Sequence, residues 1–325
     1  MNAKFPSITR RAILKNLAFG TATTLSGSLA AFADTPVKGP IVWLDMDQQE
    51  LDKAYSQFLY APNIQQVIAR YRTNSALVRK RLGEPLRFAY SSKPVESLDV
   101  YPTTHPDAPV HIFIHGGAWQ QGTAESYGFP AELFNNAGVH YVVPDFSWVQ
   151  DTDDSLYPIV DQLRQAVAWV YRNAKEFGGN ADRIYLSGHS SGGHLAGVML
   201  TTDWQKEVGL PADIIKGGLC CSGIFDLKPV RLSSRGEYIR FTDEMEDAFS
   251  PIRHLDKLNA PLIVAYGSYE TPEFKRQSRD VAKAVADSGK HVQLIVAENY
   301  NHFEVIETLA NPYGILGRAV LEQMQ

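Results

Sequence analysis

Cysteine is scarce: the chain has only two, Cys220 and Cys221, side by side in an apolar run. Adjacent residues on a strand point to opposite faces, so the pair reads as two core thiols rather than a disulfide. A metal site needs more ligands than this pair supplies. Two such residues leave the redox compartment undecided. P-loop and G-x-G-x-x-G patterns are also missing, as are internal repeats and low-complexity tracts. Those absences remove the usual sequence marks of nucleotide binding and of a repeat scaffold. Positive charge is not in excess either. The formal net charge is −5, and beyond residue 33 it is −9, from 27 basic and 36 acidic residues. A mildly acidic surface is a poor partner for nucleic acid or an anionic membrane.

What the chain has is enough apolar material for a full core: 44% hydrophobic and 21% charged residues over 325 positions. These are ordinary globular proportions. The N-terminus differs from the rest. Thr9-Arg10-Arg11-Ala12-Ile13-Leu14-Lys15 is a twin-arginine pattern, followed by a weakly apolar segment to about Ala30 and an A-x-A site at Ala31-Phe32-Ala33. This stretch is too short and too polar for a transmembrane helix and reads as an export signal over 1–33. It implies the twin-arginine export machinery as a partner of the precursor, a mature start near Asp34, a periplasmic or secreted location and no stable membrane insertion.

The remainder, 34–325, reads as one catalytic domain. Asp45 or Asp47 can cap a short helix, and Asn63 a longer one reaching Gly83, with apolar positions at helical spacing. These helices, within 34–83, are candidates for a cap over a site or for packing on a flank of the core. Residues 86–90 and 97–101 alternate like a hairpin. Runs at 110–114, 139–143, 183–187, 217–225, 261–267 and 291–297 read as strands, with helices at 129–137, 157–177, 272–289 and 315–324 between or after them. Strands alternating with helices predict an α/β fold with a mainly parallel central sheet covered on both faces. Residues 228–255 lack either period, and so long an excursion predicts a functional segment such as a lid.

The chemistry centres on Gly188-His189-Ser190-Ser191-Gly192, set between a strand and a helix. That is the context of a nucleophile elbow, in which a tight turn projects the serine hydroxyl above a sheet. A serine needs a base, and the base an orienting carboxylate, in the chain order Ser, Asp or Glu, His. His302 is the only histidine after the last strand, whereas His291 opens that strand and reads as structural. The carboxylate should follow the 261–267 strand. Glu270, in the loop, is preferred to Glu273, whose place in the first turn of a helix is explained by the helix dipole. An oxyanion needs preorganised N–H donors. Ser191 supplies one, and His115-Gly116-Gly117-Ala118-Trp119, after the 110–114 strand, supplies the others from Gly116 and Gly117. His115 reads as structural. Trp119, Phe225, Tyr238, Phe241 and Phe303 are candidates for the substrate pocket, each equally open to a place in the core, and an aromatic-lined pocket would favour aromatic or bulky apolar substrates.

Several separated motifs carry a family resemblance across essentially the whole mature chain. They are H-G-G-x-W at 115–119, G-H-S-S-G-G-H-L-A at 188–196, S-G-I-F-D-L at 222–227, P-E-F-K-R-Q-S at 272–278 and N-H-F at 301–303. Together with Trp43 to Asp47 and Tyr60 to Asn63, they resemble the arylformamidase (kynurenine formamidase)-like branch of the α/β hydrolases, which borders the hormone-sensitive-lipase-like esterases. The resemblance implies the α/β-hydrolase fold, a Ser190–Glu270–His302 triad and an oxyanion hole from Gly116, Gly117 and Ser191. Glu270 stands where the family has aspartate. Ala118 stands where it has an aromatic, which implies more room beside the oxyanion loop. The expected activity is cleavage of carboxylic esters through an acyl-enzyme, with no metal or organic cofactor needed. The alternatives are arylformamidase or arylamide hydrolysis on a small-molecule amide, and a non-catalytic binding module on the same fold.

Overall fold

The apolar runs that alternate with helices become one eight-stranded sheet. The computed structural model describes residues 38–325, so the twin-arginine segment and its cleavage site lie outside the described residues. Its strands are β3 (Leu86–Ala89), β4 (Ser97–Tyr101), β5 (Ala108–Ile114), β6 (His140–Pro144), β7 (Gly179–His189), β8 (Ile215–Cys221), β9 (Leu262–Gly267) and β10 (Val292–Ala297). The spatial order is β10-β9-β8-β7-β5-β6-β4-β3. β4 pairs antiparallel with both its neighbours, and every other pairing is parallel. A separate small hairpin, β1 (Ile41–Trp43) with β2 (Met46–Asp47), precedes the sheet.

Helices cover both faces, as a largely parallel sheet requires. One face packs α1 (Gln48–Ala54), α4 (Tyr157–Asn173), α5 (Ser191–Leu200) and α9 (Pro272–Asp287) against Val110, Ile112, Leu186 and Val264. The other packs α2 (Ile64–Leu82), α3 (Ala131–Asn136) and α10 (Ile315–Gln323) against Phe113, Tyr141, Leu219 and Ile263. Strand alternation divides the two cysteines between these layers. Cys220 belongs to the first and Cys221 to the second, both buried and unbridged. Among the described residues no helix is long and apolar enough to cross a membrane.

Local chemistry explains several boundaries. Asp47 caps α1 through a capping box with Glu50. Asn63 does not cap α2 with its side chain. Its amide instead donates to Glu304 at 2.6 Å, and its carbonyl oxygen accepts from Asn301 at 2.9 Å. The expected strand to Phe225 stops at Cys221 because Ser222 turns to φ +52°. The aperiodic stretch 228–255 folds as two short helices, α7 (Lys228–Leu232) and α8 (Asp243–Ala248), linked by 3-10 turns. α6 (Trp204–Val208), like α7 and α8, is too short to show a period in sequence.

Candidate active site

The tight turn after β7 is built from close approaches that exclude side chains. A Cβ on Gly188 would lie 2.1 Å from the Gly192 carbonyl oxygen, and one on Gly192 would lie 2.2 Å from that of Ile114. Only glycine permits this crossing. Between them Ser190 holds φ +58° and ψ −124°. Such a backbone costs about 1–3 kcal/mol and persists because its surroundings dictate it. The Ser190 N–H donates to Cys221 O at 2.9 Å, and its carbonyl accepts from His194 N–H at 3.0 Å.

Ser190, His302 and Glu270 come together from three separate loops. Ser190 Oγ lies 2.9 Å from His302 Nε2, and His302 Nδ1 lies 2.7 Å from Glu270 Oε2. All three are buried, Glu270 completely. A buried carboxylate needs donors, and Glu270 has them. Gly267 N–H donates at 2.7 Å, Ser222 Oγ–H at 2.5 Å and, more loosely, Gln57 Nε2 at 3.4 Å. Glu273, the competing carboxylate, is engaged elsewhere. It forms a two-pronged pair with Arg276 at 2.6 and 2.8 Å and accepts from Tyr55 OH at 3.2 Å. Phe274 and Phe303 meet the His302 ring edge-on, with centroids 5.0 and 4.9 Å away. A hydroxyl, imidazole and carboxylate in line can generate an alkoxide-like nucleophile without a strong free base.

His189 was missed at the sequence level, where it is only a letter inside the elbow motif. Its Nε2–H donates to the His302 carbonyl at 2.7 Å, which ties the His302 backbone to the elbow. Burial and the neighbouring His302 push its pKa well below the usual value, so it stays neutral. Gln57 and Ser222 were also missed. Each is an ordinary polar residue whose partner only the tertiary fold defines.

The loop after β5 runs beside Ser190. Gly116 and Gly117 line the same cavity as the serine. Gly117 has φ +131°, open to glycine alone. Ser191 heads α5, where a first-turn N–H has no helical acceptor. None of the Gly116, Gly117 and Ser191 amides donates to a turn, loop or cap acceptor among the described residues. Three amides of this kind can receive a developing negative charge. Trp119 N–H donates to Ser191 Oγ at 3.2 Å, and the Trp119 indole N–H to His194 Nδ1 at 3.3 Å, so the loop is pinned to α5. His115 is structural. Its Nδ1 lies 3.0 Å from Gly116 O, and its ring stacks on Phe146 with centroids 4.3 Å apart. His291 lies on the surface ahead of β10.

The cavity at Ser190 is small, about 90 Å³. Of the five aromatic candidates only Phe303 lines it. Trp119 and Phe225 are core residues, 2% and 1% exposed. Tyr238 and Phe241 pack against the same core from the 228–255 segment. Bulk and apolarity sent these four inward, and no residue of that segment lines the cavity. Ala118 does not line it either. The walls come instead from α2, through Ile68, Tyr71 and Arg72, and from Gln121, Ser126 and Tyr127 after the oxyanion loop. Tyr71 OH donates to the Phe303 carbonyl.

The chain is similar to several known proteins. Residues 98–216 match the BD-FAE family model. The chain is 30% identical to kynurenine formamidase of Danio rerio over 295 residues, covering 87% of this chain and 98% of the relative. It is 28% identical to esterase LipC of Mycobacterium tuberculosis over 222 residues, 59% of this chain and 53% of that protein. Among solved structures, a candidate thioesterase from Silicibacter sp. tm1040 superposes with a TM-score of 0.73 at 26% identity, covering 84% of this chain and 99% of the other.

Proposed function

Because the chain belongs to the kynurenine formamidase-like branch of the α/β hydrolases and is a hydrolase of the esterase type, we propose that it is an exported serine hydrolase that cleaves short-acyl carboxylic esters by a Ser190–His302–Glu270 triad. The observation that carries this reading is the unbroken line from Ser190 Oγ through His302 to Glu270, at 2.9 and 2.7 Å. His302 Nε2 takes the hydroxyl proton as Ser190 Oγ attacks the acyl carbon. The tetrahedral oxyanion is held by the N–H groups of Gly116, Gly117 and Ser191. Glu270 stabilises the imidazolium, which then gives its proton to the departing alcohol. Water enters, is deprotonated by His302, and releases the acid from the acyl-serine by the same steps.

The preference for a short acyl group rests on the cavity. A cavity of about 90 Å³ suits a small acyl group such as formyl, acetyl or propionyl better than a long chain. The same volume favours a second reading, hydrolysis of an N-formyl arylamine, since formyl is the smallest acyl group. The twin-arginine pattern and A-x-A site support export, with the mature chain starting near Asp34.

Fluorophosphonate titration followed by peptide mapping tests the nucleophile. The expected adduct is on Ser190, and it is lost in His302→Ala. Ser190→Ala is expected to reduce ester turnover by at least about 10³-fold; full turnover would end the reading. Rates on an aryl acetate and an N-formyl arylamine, measured side by side, separate the two substrates. N-terminal sequencing of periplasmic protein tests export, and an intact Met1 would overturn it.

A further inference from the structure

The small cavity at Ser190 opens beside a larger one of about 500 Å³. The two share the wall formed by Arg72, Gln121, Gly122 and Ser126. A substrate whose acyl group fills the first can place its remaining half in the second. Arg72 therefore stands at the junction, where that half would leave.

Arg72 is also unlike the other arginines of its helix. Arg70 grips Glu307 with two bonds, at 2.8 and 2.6 Å. Arg81 does the same to Glu132, at 2.8 and 2.5 Å. Arg79 donates to the Glu125 carbonyl at 2.6 Å and pairs with its carboxylate at 3.4 Å. The Arg72 side chain has no hydrogen bond or ion pair among the described residues, and it is exposed. Its charge acts on Tyr127, another wall of the Ser190 cavity, whose phenol burial raises to about 12 against the opposing pull of Arg72. The second cavity holds one further arginine, Arg79, and one glutamate, Glu125, already matched to each other. Arg72 is thus the uncompensated charge of the combined site.

We propose that Arg72 binds a carboxylate on the leaving half of the substrate, so that the preferred esters or formamides are those of carboxylate-bearing alcohols or amines. This rests on the serine-hydrolase reading above. A guanidinium presents a planar fork that matches a carboxylate with two parallel bonds. The contact lies away from the reacting atoms and is made equally in the bound substrate and the transition state. It therefore acts on KM and leaves kcat little changed.

The test compares 4-acetoxybenzoate with its methyl ester, which carry the same acetyl group with and without the charge. KM and kcat are measured for the native enzyme and for Arg72→Ala, Arg72→Lys, Arg72→Glu and Arg70→Ala. Arg70→Ala removes an equal charge from the same helix at a residue that does not line either cavity. Relative to the methyl ester, KM for 4-acetoxybenzoate is expected to rise roughly fivefold to tenfold in Arg72→Ala and further in Arg72→Glu. Arg72→Lys should fall between, and Arg70→Ala should match the native ratio. An unchanged ratio in Arg72→Ala and Arg72→Glu overturns the proposal, as does an equal change in Arg70→Ala, which would mark a general field. If the methyl ester is hydrolysed normally and only the ratio fails to move, the fault lies with Arg72 alone. If the native enzyme cleaves neither ester and takes no fluorophosphonate label, the serine-hydrolase reading falls and this assignment with it.

Discussion

Ser222 is fully buried, holds φ +52° and gives its hydroxyl proton to Glu270 at 2.5 Å. Serine is a costly residue for that backbone, and glycine would suit it better. The hydroxyl is therefore what the position supplies. It gives the buried Glu270 carboxylate a donor and holds it in place against His302 Nδ1. Ser222→Ala and Ser222→Gly are both expected to lower kcat/KM about tenfold, because each leaves the buried carboxylate one donor short. The two variants should differ in stability, because alanine keeps the strained backbone and glycine relieves it. An unchanged kcat/KM in both would assign Ser222 to packing alone. The residues legible in the sequence were those whose chemistry is tied to a place in the topology: Ser190 in its elbow, Glu270 after β9 and His302 after β10. Ser222, Gln57 and His189 were not legible, since nothing local distinguishes a serine that serves a carboxylate 48 positions away. The five aromatic candidates stay open between pocket and core at the sequence level for a different reason. Apolar bulk marks a core residue as strongly as it marks a binding wall, and Trp119 and Phe225 went to the core.

Among the elements, α2 matters most to the site. It walls the Ser190 cavity through Ile68, Tyr71 and Arg72 and is tied at several points to the segment carrying His302. Asn63 holds Glu304 and Asn301, Tyr71 OH donates to Phe303 O, and Arg70 pairs with Glu307. Its buried face, Val67, Tyr71 and Val78, belongs to the second core layer, while Leu51 and Tyr55 of the preceding segment belong to the first. A removable cover would not supply core residues to both layers. Deleting 38–83 is therefore expected to unfold the protein, read as loss of near-UV circular dichroism. A folded truncation with altered substrate preference would make this segment a detachable cap. Leu51→Ala should destabilise by about 2–5 kcal/mol, as for other fully buried leucines. Strand and long-helix positions were readable from period alone. The small hairpin at 41–47 and the short helices between 204 and 248 were not, because elements of two to six residues carry no period.

For the whole molecule, several histidines are buried and neutral. His111, 2.6 Å from Ser187 Oγ and stacked on Phe134, is lowered by burial to about 3. His194 is lowered by burial to about 4, against the pull of the Phe249 carbonyl. Burial also lowers His115, His140 and His189. An unfolded histidine titrates near 6.5. Below that pH the unfolded chain binds protons that the folded chain refuses. The stability these groups lend is whole above about 6.5 and is lost as pH falls toward their folded values. The loss is on the order of 1.4 kcal/mol per pH unit for each such group. His194 adds a local effect. Its Nδ1 accepts from the Trp119 indole and cannot do so once protonated, so acid should loosen the 115–119 loop. Urea midpoints are expected to fall steadily from pH 7 to pH 5. A flat profile would mean that these rings gain solvent or partners on charging.

Cys220 and Cys221 share one peptide bond yet face opposite layers of the sheet. Burial raises both thiols, so neither reacts while its layer is closed. Each is thus a built-in clock for one half of the molecule. With Cys220→Ser or Cys221→Ser, pulse alkylation in mild denaturant times the opening of a single layer. Equal rates would mean that both halves come apart in one event. Unequal rates would name the half that yields first, from a pair of reporters that the chain itself set one residue apart.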